Sequence, residues 1–80
     1  MPTVLRSGPY RLFFFSNESG EPPHVHVSRE RLEAKLWLES VQIAWNRGYR
    51  QVELRRVARL VEEHRSQLLG SWYAYFGTTP

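Results

Sequence analysis

Apolar positions recur along the chain with two different periods, and the change from one to the other divides it. In Leu32-Glu33-Ala34-Lys35-Leu36-Trp37-Leu38, the residues Leu32, Ala34, Leu36 and Leu38 fall on one side, and Glu33, Lys35 and Trp37 on the other. Such alternation marks a half-buried strand. The same period predicts strands over residues 4–6 and 10–15 around a Ser7-Gly8-Pro9 turn, and a further strand over residues 24–27. After Glu39-Ser40, Val41, Ile43 and Trp45 alternate with Gln42 and Ala44 in a short strand ending at Asn46-Arg47-Gly48. Residues 16–23 form a polar loop closed by Pro22 and Pro23, which stiffen its exit. From about Arg50 the period becomes helical, and Leu54, Val57, Ala58, Val61, Leu68 and Trp72 share one face. Gly70 reads as the helix stop, which leaves Trp72, Tyr73, Tyr75 and Phe76 to pack back or dock elsewhere.

These elements predict one α+β domain over residues 1–80: a small antiparallel sheet of four or five strands within residues 3–46, packed on one long C-terminal helix at about 50–70, with an aromatic tail at 72–77. One helix covers one face of such a sheet. Phe13, Phe15 and Trp37 alternate with residues on the helix-covered side, so the second face carries aromatic area that soluble monomers seldom leave as a large patch. That face is expected to be a contact surface built from Trp37, Phe13, Phe15, His24 and His26, unless the aromatic tail folds over it.

Composition narrows the classes. The chain has 80 residues, 41% of them apolar and 14% aromatic, which is too rich for a disordered segment yet small for a core that stands alone. A protein partner or a second copy is therefore expected. The absence of cysteine removes disulfides, thiolate metal sites and cysteine nucleophiles together. The longest apolar run, residues 12–15, is far too short to span a bilayer, and the N-terminal sequence has no export signal, so a cytoplasmic location without membrane association is expected.

Charge is uneven. Residues 1–46 balance five basic against five acidic side chains, whereas residues 47–80 carry six arginines against three glutamates and hold the whole excess of +3. Arg55, Arg56 and Arg59 project from the solvent side of the helix as a candidate phosphate-tracking stripe for RNA or DNA. The competing reading is a solvated face in which Arg59 pairs with Glu62 and Glu63, three and four residues on.

The segments Glu21-Pro22-Pro23-His24-Val25-His26-Val27, Ala34-Lys35-Leu36-Trp37-Leu38 and Val61-Glu62-Glu63-His64-Arg65, with Trp72 and Tyr75-Phe76-Gly77 behind them, resemble a small prokaryotic family, domain of unknown function 4160. The likeness runs from Met1-Pro2-Thr3-Val4 through Gly77, although Ser40 stands where similar sequences commonly place a proline. The resemblance implies a toxin-antitoxin-like setting with a partner, and no established catalytic residues.

Three histidines bear on chemistry. His24 and His26 are two apart on a strand and so point to one face about 6.5 Å apart. Pairing Val27 with Leu32 and Val25 with Ala34 keeps the apolar sides together and sets His26 opposite Glu33 and His24 opposite Lys35. Glu33 then favours the charged form of His26. The two histidines are also able to hydrogen-bond the proline loop. With His64 they offer three imidazoles, but strand and helix must converge and no spacing is diagnostic, so neither metal nor cofactor is expected. Metal-free RNA cleavage needs a base, an acid and a cation, and the candidates are His24, His26, Lys35 and Arg31. Neither a phosphate-loop nor a dinucleotide glycine pattern occurs, and serine chemistry has no supporting motif. Arg65 falls inside the apolar stripe, where it snorkels past Leu68 and Leu69 or bridges to a partner's carboxylate. The leading expectation is a non-enzymatic protein-binding component of a toxin-antitoxin-like pair. The alternatives are a histidine-dependent ribonuclease toxin and a homodimer that acts by assembly.

Overall fold

In the computed structural model, which describes residues 3–18 and 20–77, five antiparallel strands run as a meander and two helices follow. The strands are β1 (Thr3–Ser7), β2 (Tyr10–Phe13), β3 (His24–Arg29), β4 (Leu32–Trp37) and β5 (Ile43–Arg47), in sheet order β1-β2-β3-β4-β5. The helices are α1 (Gln51–Glu63) and α2 (Arg65–Phe76).

Alternation places the apolar sides as the sequence predicts. Leu12, Val25, Val27, Ala34, Leu36 and Leu38 form one buried cluster with Val57, Val61 and Leu68 of the helices, and Leu54 and Ala58 pack against it. The pairing within β3–β4 differs, however. Val27 sits opposite Ala34 and Val25 opposite Leu36, so His26 faces Lys35 and His24 faces Trp37. The register slides by two residues because the hairpin closes tightly, Arg29 pairing with Leu32 across Glu30 and Arg31, with Glu30 at a φ of 56°. A slide of two preserves every side chain's face, which is why the pattern alone does not distinguish the two registers.

β2 stops at Phe13 rather than Phe15. The Phe15 N–H donates to the Glu18 carboxylate (2.8 Å), which curls the chain out of the ladder. β5 also departs from the expected alternation. A bulge between Lys35 and Leu36 sets Trp45 opposite Lys35 and Ile43 opposite Leu36, and both large apolar residues of β5 stay exposed.

The single long helix is two. At His64 the backbone leaves the helical region (φ −111°, ψ 17°), and its N–H is shared between the carbonyls of Leu60 and Val61 at 3.2 Å each. The His64 ring Nδ1 lies 3.0 Å from the same Leu60 carbonyl, so a side chain intrudes on the ladder, a recognised cause of kinks. Arg65 anchors the bend. Its guanidinium donates to the carbonyls of Leu38 (2.7 Å) and Glu39 (3.0 Å) just past the end of β4, so the chain's own backbone engages it.

Gly70 does not stop the helix. α2 continues to Phe76 and ends on Gly77, whose φ of 70° forms the left-handed cap, with its N–H on the Tyr73 carbonyl at 2.8 Å. The expected aromatic tail is thus helical. Phe14 packs against Trp72, Tyr75 and Phe76 at ring separations of 5.3–5.4 Å.

Candidate functional site

The second face of the sheet is built by one cross-strand row. Phe13 pairs with His26, His26 with Lys35, and Lys35 with Trp45. Side chains opposite one another share a face, so this row carries aromatic, imidazole and ammonium groups in contact. Phe13 stacks on His26 (5.3 Å), Phe15 meets that ring edge-on (4.9 Å), and Trp45 approaches it from across β4 (5.8 Å). His24 stands beside His26 with its ring nearly perpendicular, 5.4 Å away.

The loop between β2 and β3 folds over this row. Glu18 reaches both histidines, with Oε1 3.0 Å from His24 Nε2 and Oε2 3.1 Å from His26 Nε2. Burial raises the Glu18 carboxyl, but the Phe15 N–H, the adjacent His24 ring and the His26 hydrogen bond outweigh it, and the group titrates below the ordinary glutamate range. Glu21, from the same loop, pairs with Lys35, whose ammonium also lies 4.8 Å from the Trp37 ring centre. On the other side of His26, Glu33 Oε2 is 3.2 Å from Nδ1, and Arg47 lies 3.4 Å from Glu33. The His26–Glu33 proximity expected from sequence therefore occurs, as a diagonal contact: Glu33 itself pairs with Ser28.

α2 closes the remaining side. One turn beyond Leu68 on the same face of α2, Trp72 is buried and meets the His24 ring at 4.8 Å, on the opposite side of the sheet from Val25 and Val27. His24 is fully buried, and Phe13, His26 and Lys35 are also buried. Of the expected contact residues, Phe15 is exposed and Trp37 half-buried, while Phe13, His24 and His26 lie beneath the loop and α2. Trp45, which the sequence does not single out as a contact residue, adds exposed area to this face.

The candidates for RNA cleavage separate. His24, His26 and Lys35 meet, but Arg31 lies in the β3–β4 turn at the opposite end of β3 from His24. His64 is at the helix kink and bonds its own helix, so the third group at the histidine pair is Glu18. Its signal in the sequence was only a loop glutamate ahead of Pro-Pro-His, which no spacing rule selects. On α1, Arg55, Arg56 and Arg59 are exposed, and among the described residues none has a carboxylate within ion-pair distance, Glu62 and Glu63 included.

The chain matches domain of unknown function 4160 over residues 10–73 and belongs to that family. The match covers the histidine face and most of both helices. Comparison with curated proteins gives no match, and neither does comparison with solved structures. No helix among the described residues is long and apolar enough to cross a membrane.

Proposed function

We propose that this protein is a non-enzymatic, cytoplasmic binding component of a toxin-antitoxin-like pair, and that its partner is a protein segment bearing apolar side chains and carboxylates. The observation that carries the reading is the exposed aromatic rim of the second face. Phe15 (36% exposed) and Trp45 (39%) both pack on His26, and the half-buried Trp37 lies two residues beyond Lys35 on the same side of β4. Rigid aromatics around a desolvated centre make good interface anchors. Arg11 over Phe13 (4.4 Å) and Arg47 over Trp45 (5.6 Å) place guanidinium groups on the rim, which suits an acidic partner. β5 is an edge strand, so its outer backbone is also open to an added strand. The buried histidines favour this reading over ribonuclease chemistry, because a base must reach the 2′-hydroxyl proton.

The test is photo-crosslinking in the native host from positions 15, 45 and 52, with Val52 on the distant α1 surface as control. The expected result is one partner protein cross-linked from 15 and 45 but not from 52, with Trp45→Ala and Trp37→Ala each weakening the purified complex by about 30-fold while far-UV circular dichroism is unchanged. A self-product from 15 and 45 would replace this reading with the homodimer. Bound RNA whose cleavage depends on His26 would replace it with the ribonuclease.

A further inference from the structure

The geometry points to a second property, independent of the docking reading: Glu18, His24 and His26 form a binding site for a divalent transition-metal ion, with zinc the best fit to two imidazoles and a carboxylate. The donor atoms of the three side chains lie within 4.8 Å of one another. Zinc bonds of about 2.0–2.2 Å place ligand atoms about 3.4 Å apart in a tetrahedron, so two of the three separations (3.0 and 3.1 Å) are already close and small rotations supply the rest.

The hydrogen bonds behind the rings make the stronger argument. His24 Nδ1 lies 2.9 Å from the Pro22 carbonyl, and a carbonyl only accepts, so Nδ1 carries the hydrogen. The neutral ring then presents a bare Nε2. That atom is fully buried, has no hydrogen-bond partner, and stands 3.0 Å from the Glu18 Oε1 oxygen. Two buried lone pairs held face to face call for a cation between them. A proton on Nε2 would lie off the line to the carboxylate, since the pair lacks hydrogen-bond geometry; a metal ion satisfies both atoms at once.

His26 is arranged to follow. Its Nε2 faces Glu18, and its Nδ1, also buried and without a well-directed partner, lies 3.2 Å from Glu33 Oε2. When a metal takes Nε2, the ring hydrogen moves from Nε2 to Nδ1, beside the Glu33 carboxylate, which a small ring rotation brings into line to accept it, and the imidazole stays neutral. A carbonyl behind one ligating histidine and a carboxylate behind the other is the arrangement that fixes tautomer and ring orientation in metal sites. Lys35 does not oppose the ion directly, because Glu21 neutralises it. Three protein ligands leave one position for water or an anion, at the Glu18 side, the least buried of the three.

The test is titration of chelator-treated full-length protein with zinc by calorimetry and with cobalt(II) by visible absorption, magnesium serving as the hard-ion control. One zinc per chain and the intense spectrum of four-coordinate cobalt are expected, with no magnesium binding. Glu18→Gln and His26→Gln should abolish the cobalt spectrum. Glu33→Gln should weaken zinc by about tenfold or more while the spectrum remains, and His64→Gln should change neither. If His26→Gln fails to fold by circular dichroism, Glu18→Gln, in a loop, decides. No saturable zinc binding by the parent, unchanged binding in Glu18→Gln, or loss in His64→Gln would overturn the assignment.

Discussion

Trp72 links α2 to the buried histidines, and its truncation measures how firmly the C-terminal helix holds that end of the sheet. The indole is 2% exposed and packs on Phe76 (4.3 Å), His24 (4.8 Å) and Phe14 (5.3 Å). Replacing a buried tryptophan with alanine costs about 3–5 kcal/mol through lost transfer energy and the cavity left behind. A domain of this length has roughly 4–12 kcal/mol in all, so Trp72→Ala should remove a third or more of it. Tyr75 is the control, since it also touches Phe14 (5.4 Å) but is half exposed, and Tyr75→Ala should cost about 1 kcal/mol or less. Urea unfolding followed by far-UV circular dichroism and by the fluorescence of Trp37 and Trp45 separates two outcomes. Coincident early transitions mean that α2 and the sheet unfold as one unit; an early loss of helix with the tryptophan signal retained means that α2 melts alone. A Trp72→Ala midpoint equal to that of Tyr75→Ala would refute the argument that the buried indole holds α2 on that end of the sheet.

Two further outcomes follow from particular contacts. Hydrogen bonds from Arg29 (2.6 and 2.8 Å) and Tyr10 (2.7 Å) hold the Glu53 carboxyl down at about 2, against an ordinary 4.5. A depressed folded-state value contributes stability above the unfolded pKa, so the advantage of the parent over Glu53→Gln should be full above about pH 5 and vanish as pH falls toward 2, read from urea midpoints across that range. Among the glycines, Gly48→Ala should destabilise by at least about 1–2 kcal/mol, because φ is +100° there and a Cβ would meet Leu32 Cδ2 at 2.6 Å; Gly70→Ala, mid-helix with open space around it, should stabilise by about 0.5–1 kcal/mol, and thermal melts showing the opposite order would refute both assignments.

The sequence by itself determined the antiparallel strands, the helical character of the segment after them, and which side of β2, β3 and β4 meets that segment. Leu32 through Leu38 alternate, so Ala34, Leu36 and Leu38 face the helices in either of two registers that differ by two residues. Turn length was not legible, because registers two residues apart satisfy the same pattern, and Arg29-Glu30-Arg31-Leu32 settled it by closing tightly. Helical periodicity selected Val57, Val61, Leu68 and Trp72, all of them buried, but not the break between α1 and α2, since no period encodes a kink produced where His64 competes for the Leu60 carbonyl. Of the candidate site, the sequence showed two histidines on one face with Glu33 nearby. Only tertiary structure brought Glu18 down onto them, turned Glu21 to Lys35 and set Trp72 against His24, because loop glutamates and helix ends reach their partners through chain reversals that local pattern does not specify.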